Sequence, residues 1–436
     1  MKYHCIGIGS GPSNLSVASL LHGQHDIKSI FFEQKAAFTW HDGMMIPGAG
    51  LQVSLFKDLV TLADPTNRFS FVSYLHQHGR LLQFLNARFD QVSRLEFRDY
   101  LKWAAESNGN ICFGERVLEV DFDGGAFVVQ TTKRRVQGDN VVVGVGIVPE
   151  VPDFARSCLD DSTHFHVNEF AAKAGVAAGK RVLVIGGGQS GAEVVLDLLR
   201  RGGGQAPAAL SWVSRRENYF PLDDSPFTND LYTPTHSNYF YEQDEIFRSA
   251  FIKRNLLSSD GISECTLRSL YQQIYSLRFI ERSPIDIRLL PFREVRAIGR
   301  NGERWSIAAR HLGANAPETL EADVVIWASG FKPAPTPFLQ PLRERLEREG
   351  EEIAVDRDYA ALGKLPRNRS LFILNAIRQQ RGLADPNLSL TAWRSQIVIN
   401  RMLDAPRAGD VDAAFVSWAP LASARADERK NKREWA

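Results

Sequence analysis

The chain has almost no net charge, few cysteines and no long apolar run, and each shortage removes a class of function. Its 52 lysines and arginines nearly cancel 51 aspartates and glutamates, leaving a formal charge of +1, so no global field favours nucleic acid or an anionic membrane surface. Any recognition of phosphate must therefore be local. The four cysteines, Cys5, Cys112, Cys158 and Cys265, form no CxxC pair and have no neighbouring histidine at metal-ligand spacing, which argues against zinc, a disulfide framework and a dithiol redox centre. No stretch approaches about 20 apolar residues, so no membrane span is expected. Met1 runs within two residues into an apolar strand, without the parts of a secretory leader, and a cytoplasmic location is the expectation.

At 436 residues, with 44% hydrophobic and 24% charged side chains, the chain has room for two or three globular domains. Tyr3 to Gly9 is an apolar run that stops at glycines instead of alternating, the pattern of a buried parallel strand. A helical pattern opens at Pro12, and a second strand, Ile27 to Phe32, ends at Glu33. The same order returns with the strand Arg181 to Ile185, a glycine-rich turn, a helix from Ala192 to Arg200, and the strand Leu210 to Val213. Two further apolar strands, Asn140 to Val145 and Asp323 to Ala328, end near glycines and are expected beside the two turns, at the carboxyl edge of a parallel sheet. Residues 217–282 are rich in Tyr, Phe, Asn and Asp and then plainly helical, reading as a small helical insertion.

The expected fold is α/β, with two Rossmann-like dinucleotide-binding domains and a small, mainly helical substrate insertion. Residues 1–170, completed by 331–421, form the first domain and 171–330 the second, with a charged tail, 422–436, expected to be disordered.

The turn Gly7-Ile8-Gly9-Ser10-Gly11-Pro12 lies between strand and helix, so backbone N–H groups can face a pyrophosphate with no side chain in the way. Pro12 replaces the usual last glycine, and a proline fits the first turn of a helix. Glu33 is placed to accept hydrogen bonds from a ribose. The second turn, Gly186-Gly187-Gly188-Gln189-Ser190-Gly191, meets the full GxGxxG spacing, but the following strand ends in Ser214-Arg215-Arg216. An acid there would repel a 2′-phosphate, whereas a guanidinium can pair with it, so this second site is expected to prefer NADPH. An acid-ended turn followed by a basic one suits transfer of hydride from NADPH to FAD. Without a CxxC pair, reduced flavin could pass its electrons to a carrier protein or to oxygen.

A wider set of motifs resembles the microbial lysine/ornithine N-monooxygenases that begin hydroxamate siderophore synthesis. It comprises Gly9-x-Gly11-Pro12-x-Asn14-Leu15, Trp40-His41, Gln52 to Asn67, Phe71 to Leu75, Gly186 to Glu193, Asp224 to Phe227 and Gly382 to Leu390. The resemblance implies that reduced FAD and oxygen form a C4a-hydroperoxide, and that the terminal amine of lysine or ornithine attacks its distal oxygen. It also implies that Gln52 lies near the flavin, that Lys57 meets the substrate carboxylate with help from Asn229, that Trp40 and His41 border the cofactor, and that Leu388 and Ser389 close over flavin and substrate. Related enzymes often form tetramers.

Lys57 interrupts the apolar run Leu55 to Val60, a costly place for a cation unless an anion meets it. That favours an amino acid over a diamine, and Leu256 to Gly261 resembles lysine enzymes more than ornithine enzymes. A diamine hydroxylase, a flavin reductase serving a carrier protein, and a non-catalytic nucleotide-binding protein remain the alternatives.

Overall fold

Apolar strands that stop at glycine build two parallel sheets. The computed structural model describes residues 2–89, 91–159, 162–366, 368–405 and 414–420. In the first sheet, Lys2–Ile8 lies between Ser29–Phe32 and Arg135–Val143, parallel to both, with Ile8 level with Phe32 and Val143. The side chains of Val141, Val142 and Val143 are buried, as a strand covered on both faces requires. Two antiparallel strands, Ala126–Thr131 and Val117–Asp123, extend the sheet beyond Arg135–Val143. The distant strand Leu371–Ile373 pairs in parallel with Val141 to Val143, so the late part of the chain returns to the first sheet.

The second sheet is parallel throughout, in the order Asp286–Leu290, Ala209–Val213, Arg181–Ile185, Val324–Trp327, His164–His166. The strands expected at 140–145 and 323–328 fall within one to five residues of Arg135–Val143 and Val324–Trp327, each beside the strand that leads into a glycine turn. The sequence pattern assigned no element to 283–322. There the strands Arg293–Asn301, Arg304–His311 and Ala316–Ala322 form an antiparallel sheet whose Trp305 and Ile307 pack on Leu183, Val213 and Val325.

Residues 217–282 are helical, but they divide between two cores. The helix Glu264–Tyr275 contributes Leu270 to the core beneath Gln189–Arg200. The helices Pro234–Tyr241 and Glu245–Arg254 instead pack Phe240, Phe251 and Ile252 against Leu383, Ala384 and Leu390. An apolar stripe reads the same from sequence whichever neighbour covers it.

The return of the chain is fixed by a buried ion pair. Arg394, on the helix Thr391–Met402, donates to the Asp385 carboxylate at 3.0 Å and to its carbonyl at 2.8 Å, and reaches Ser13 Oγ at 3.3 Å. The second carboxylate oxygen of Asp385 accepts from the Ile377 N–H at 2.9 Å. The two side chains are 2% and 1% exposed. The segment after the first glycine turn and the segment 385–394 are thereby held together. The expected disordered tail, 422–436, lies outside the described residues. Among the described residues no helix is long and apolar enough to cross a membrane, and no group of three or more His, Cys, Asp or Glu side chains could hold a metal ion.

Removing one partner of a buried pair strands the other charge, so Arg394→Met should cost about 3–5 kcal/mol of stability in urea denaturation. Burial already raises the Asp385 pKa. A raised folded-state pKa means stability is lost as pH climbs from about 4, the unfolded aspartate value, so the deficit should grow on going from acid to neutral pH. A deficit under about 1 kcal/mol would show that the pair does not hold this region.

Candidate functional site

Both parallel sheets end at one cleft of about 1560 Å³. This exceeds the roughly 300–1,000 Å³ of a site for one small ligand, as a cleft for two should. Gly9, Gly11 and Pro12 line one side and Gly186, Gly187, Gly188, Gln189 and Ser190 the other. The turns are built alike. Gly9 has φ +90°, and a Cβ there would come within 2.5 Å of the Gly144 carbonyl oxygen; Gly186 has φ +135°, and its Cβ would come within 2.1 Å of the Ala328 carbonyl oxygen. In each case the end of the neighbouring parallel strand presses on the turn, so only glycine lets the backbone pass. Asn14 braces the first turn by donating to the carbonyls of Ile8 and Gly9 at 2.9 Å and of Val142 at 3.3 Å. Gly7 and Gly191, expected to bind cofactor, sit behind the turns, Gly7 facing the Phe31 ring and Gly191 the Gly186 carbonyl, where they allow close packing.

The two sides differ in charge as the sequence suggested. Glu33 accepts from the Ser10 N–H at 3.0 Å and Ser10 Oγ at 3.1 Å, and still lines the cleft. On the other side the two arginines are not equivalent. Arg216 donates to the carbonyls of Asp260, at 2.8 Å, and Gly187, at 3.3 Å, and its N–H is held by the buried Ser214 Oγ. Arg215 is exposed at the cleft. Both line the cleft, Arg216 tied to the turn by its carbonyl contacts and Arg215 exposed and free of them.

Trp40 and His41 also line the cleft, ring against ring at 4.8 Å. His41 is accessible from the cleft, yet crowding by its walls, and then the positive charge of Arg94 and Lys35, push its pKa down to about 4. It is neutral near pH 7, and so weak a base does not take a proton from an amine.

A buried joint sets the spacing of the two sides. Arg94 pairs bidentately with Glu193, at 2.7 and 2.9 Å, and donates to the Met44 carbonyl at 3.0 Å. Glu193 is on the helix Gln189–Arg200 that follows the second turn, and Met44 lies in the wall that carries Trp40 and His41. Gln189 donates to Glu193 at 2.9 Å while its carbonyl accepts from Ser263 N–H and Oγ at 2.8 and 3.0 Å. Neither Arg94 nor Ser263 was singled out in the sequence, because nothing in their local pattern announces a partner 99 or 74 residues away.

Lys57, Ser389, Asn229 and Gln52 are not among the cleft-lining residues, although Leu388 is. Lys57 Nζ donates to Ser389 Oγ at 3.1 Å and lies 6.0 Å from the centre of the Tyr232 ring. Asn387 positions that serine, accepting from its N–H at 2.8 Å and its Oγ at 2.6 Å. Lys57 is half-buried, burial lowers its pKa, and among the described residues it has no acidic partner. Asn229 is exposed and its amide donates to the Asp224 carbonyl at 2.8 Å, three residues from Tyr232. Gln52 is exposed, with no contact to this group. The structure therefore joins Lys57, Tyr232 and Ser389 directly and brings Asn229 near them through the chain.

The residues fit the two expected cofactors. Each turn is a cradle that a Cβ would fill, each is followed by a helix N-terminus, and the acid and the exposed arginine are at the positions where a ribose hydroxyl and a 2′-phosphate would be distinguished.

Known proteins share this sequence pattern and this fold. Residues 1–333 match the family model described as L-lysine 6-monooxygenase/L-ornithine 5-monooxygenase. The chain is 37% identical to the L-lysine N6-monooxygenase of Escherichia coli over 403 residues, 91% of this chain and 94% of that protein. It is similar to the ornithine N-hydroxylase of Kutzneria sp. 744, solved with reduced FAD, NADP+ and L-ornithine, with a TM-score of 0.85, 27% identity and coverage of 93% of this chain and 99% of the other. A cadaverine monooxygenase from Erwinia amylovora bound to FAD shares the fold, with a TM-score of 0.88, 24% identity and coverage of 97% and 100%.

The pressure of Ala328 on Gly186 makes a direct prediction. Gly186→Ala should weaken binding of the nicotinamide dinucleotide at least tenfold by titration, with FAD content unchanged. Equal binding by both proteins would show that the second turn is not the dinucleotide cradle.

Proposed function

Because the chain belongs to the L-lysine 6-monooxygenase/L-ornithine 5-monooxygenase family, we propose that it hydroxylates the terminal amine of L-lysine with FAD, NADPH and molecular oxygen, the first step of hydroxamate siderophore synthesis. The turn at Gly9 and Gly11 would hold FAD, with Glu33 at its ribose, in the domain expected at 1–170 and 331–421, less the strand His164–His166, which pairs within the second sheet. NADPH occupies the turn at Gly186 to Ser190, within 171–330, with Arg215 at its 2′-phosphate. Bound together, NADPH would supply the hydride and FAD the activation of oxygen that hydroxylation of the amine requires.

The observation that carries the choice of substrate is Lys57. A half-buried cation that, among the described residues, meets a hydroxyl and an aromatic ring but no carboxylate has its pKa lowered by burial, and an arriving carboxylate would relieve that cost. Lysine and ornithine carry such a carboxylate, whereas a diamine would bring a second cation to the same place. Ser389 holds Lys57 in position, and Asn229, three residues before Tyr232, is the further side chain we assign to the amino acid, from its place in the family motif. The lysine side chain, with an ordinary pKa of about 10.4, must lose its proton to expose a lone pair. Removing it from water favours the neutral amine, and His41 is too weak a base to assist. Gln52 is assigned to the flavin side by its place in the shared motif. The protein is expected to work in the cytoplasm as a homo-oligomer, which sizing of the purified enzyme would read.

Hydroxylamine product should be measured with L-lysine, L-ornithine, putrescine and cadaverine in parallel. Product from an amino acid and from neither diamine supports the reading; product from a diamine alone replaces the substrate, and NADPH consumption without any product replaces the reaction. Lys57→Ala should raise the KM for the amino acid at least tenfold and leave that for NADPH within twofold, and an unchanged amine KM would remove the carboxylate role. Arg215→Ala should narrow the preference for NADPH over NADH at least fivefold, and an unchanged ratio would place the 2′-phosphate elsewhere.

A further inference from the structure

The segment Asp224–Asn229 is poorly equipped to hold itself. Its one helical turn, Pro226–Asn229, has no buried residue, and its hydrogen bonds, Thr228 Oγ1 to Asp223 and the Asn229 amide to Asp224, are exposed. A single turn has little stability of its own. The next three residues are anchored on two sides. Leu231 and Tyr232 are buried, and the Tyr232 hydroxyl donates to the Ser258 carbonyl at 2.6 Å. Asp230 points the other way, and its carboxylate, 9% exposed, accepts from the Phe415 and Val416 N–H groups at 3.0 and 3.1 Å.

Residues 414–420 therefore lie across the helical unit, beyond the last described helix, Thr391–Met402. Their exposure alternates, with Ala414, Val416 and Trp418 half-buried and Phe415, Ser417 and Ala419 exposed, while the backbone bends at Phe415, Val416 and Ala419. Trp418 packs edge-on against His236 at 4.7 Å and stacks on Tyr239 at 6.3 Å. His236 is 1% exposed, and its Nε2 has no partner. It is thus a neutral ring enclosed by Phe251, Phe240 and Trp418, and an indole lost from above it would leave that nitrogen to water. Asp230 and His236 flank the start of the helix Pro234–Tyr241, immediately after Asn229 and on either side of Tyr232 and its contact with Lys57.

We infer that residues 414–420 are a strap that positions the amine-binding segment, making Asp230, His236 and Trp418 positioning residues for the hydroxylation; this rests on the assignment of Lys57 and Asn229 to the amino-acid substrate. Residues 414–420 are not among those that line the cleft of the two glycine turns. The strap acts on Tyr232 and Asn229 through the backbone they share with Asp230, so its loss should be felt by the amine and not by the nucleotides.

The test uses the FAD-loaded enzyme with L-lysine. Trp418→Ala should raise the KM for L-lysine at least fivefold while the KM for NADPH and the FAD content stay within twofold, and Trp418→Phe, which keeps a ring on His236, should recover most of the loss. Should Trp418→Ala give no soluble holoenzyme, Asp230→Asn, which keeps the shape and weakens both N–H contacts, should raise the same KM two- to threefold. An amine KM within twofold of the parent in these variants, or a parallel loss of FAD, NADPH and amine binding, overturns the strap. Lys57→Ala run beside them separates the two ideas: if it raises the amine KM and the strap variants do not, only the strap fails, and if it too leaves the KM unchanged, the reading beneath it fails as well.

Discussion

The ion pair between Arg94 and Glu193 is the joint on which the cleft depends. Two nucleotide-binding turns can exchange a hydride only if their strand ends face each other at a fixed separation, and the turns themselves do not set it. Arg94 spans that gap with two hydrogen bonds to Glu193 and one to the Met44 carbonyl, and Gln189 continues the network to Ser263. A buried pair of charges is worth little net against an apolar substitute, but its geometry is specific, and here the geometry is what the site needs.

Around that joint the charge is distributed locally, as a chain with no net field must do it. Glu33 marks one turn and Arg215 the other, while Arg216 is used within the fold. The buried pair of Asp385 and Arg394 performs a similar service for the segment that returns from the end of the chain, bringing Leu388 to the cleft and Ser389 to Lys57. The candidate amine site is thus assembled from four stretches far apart in sequence, centred on Lys57, Tyr232, Ser258 and Ser389.

The glycine turns were legible in advance because their requirement is local: a strand, a turn that excludes Cβ, and a helix. Burial of the strands at both faces made their apolar runs equally plain. The antiparallel sheet at 293–322 was not legible, since Arg293–Asn301 and Ala316–Ala322 are largely accessible along one face and carry charge there. Residues 217–282 were seen as helical, but their division between two cores depends on which partner meets each apolar stripe. Both arginines of one dipeptide line the cleft, and only the fold shows that Arg216 is the one tied to Asp260 and Gly187.

By itself the sequence determined the two glycine turns, the acid after one and the pair of arginines after the other, because each of these is a relation among residues within about one strand-turn-helix unit. Tertiary structure alone decided that the turns share one cleft, that Lys57 faces Ser389 and lacks an acid, and that Asp230 holds residues 415 and 416. Those are relations across more than a hundred residues of chain, made by side chains whose own neighbours in sequence impose nothing, and they exist only once packing has brought the partners together.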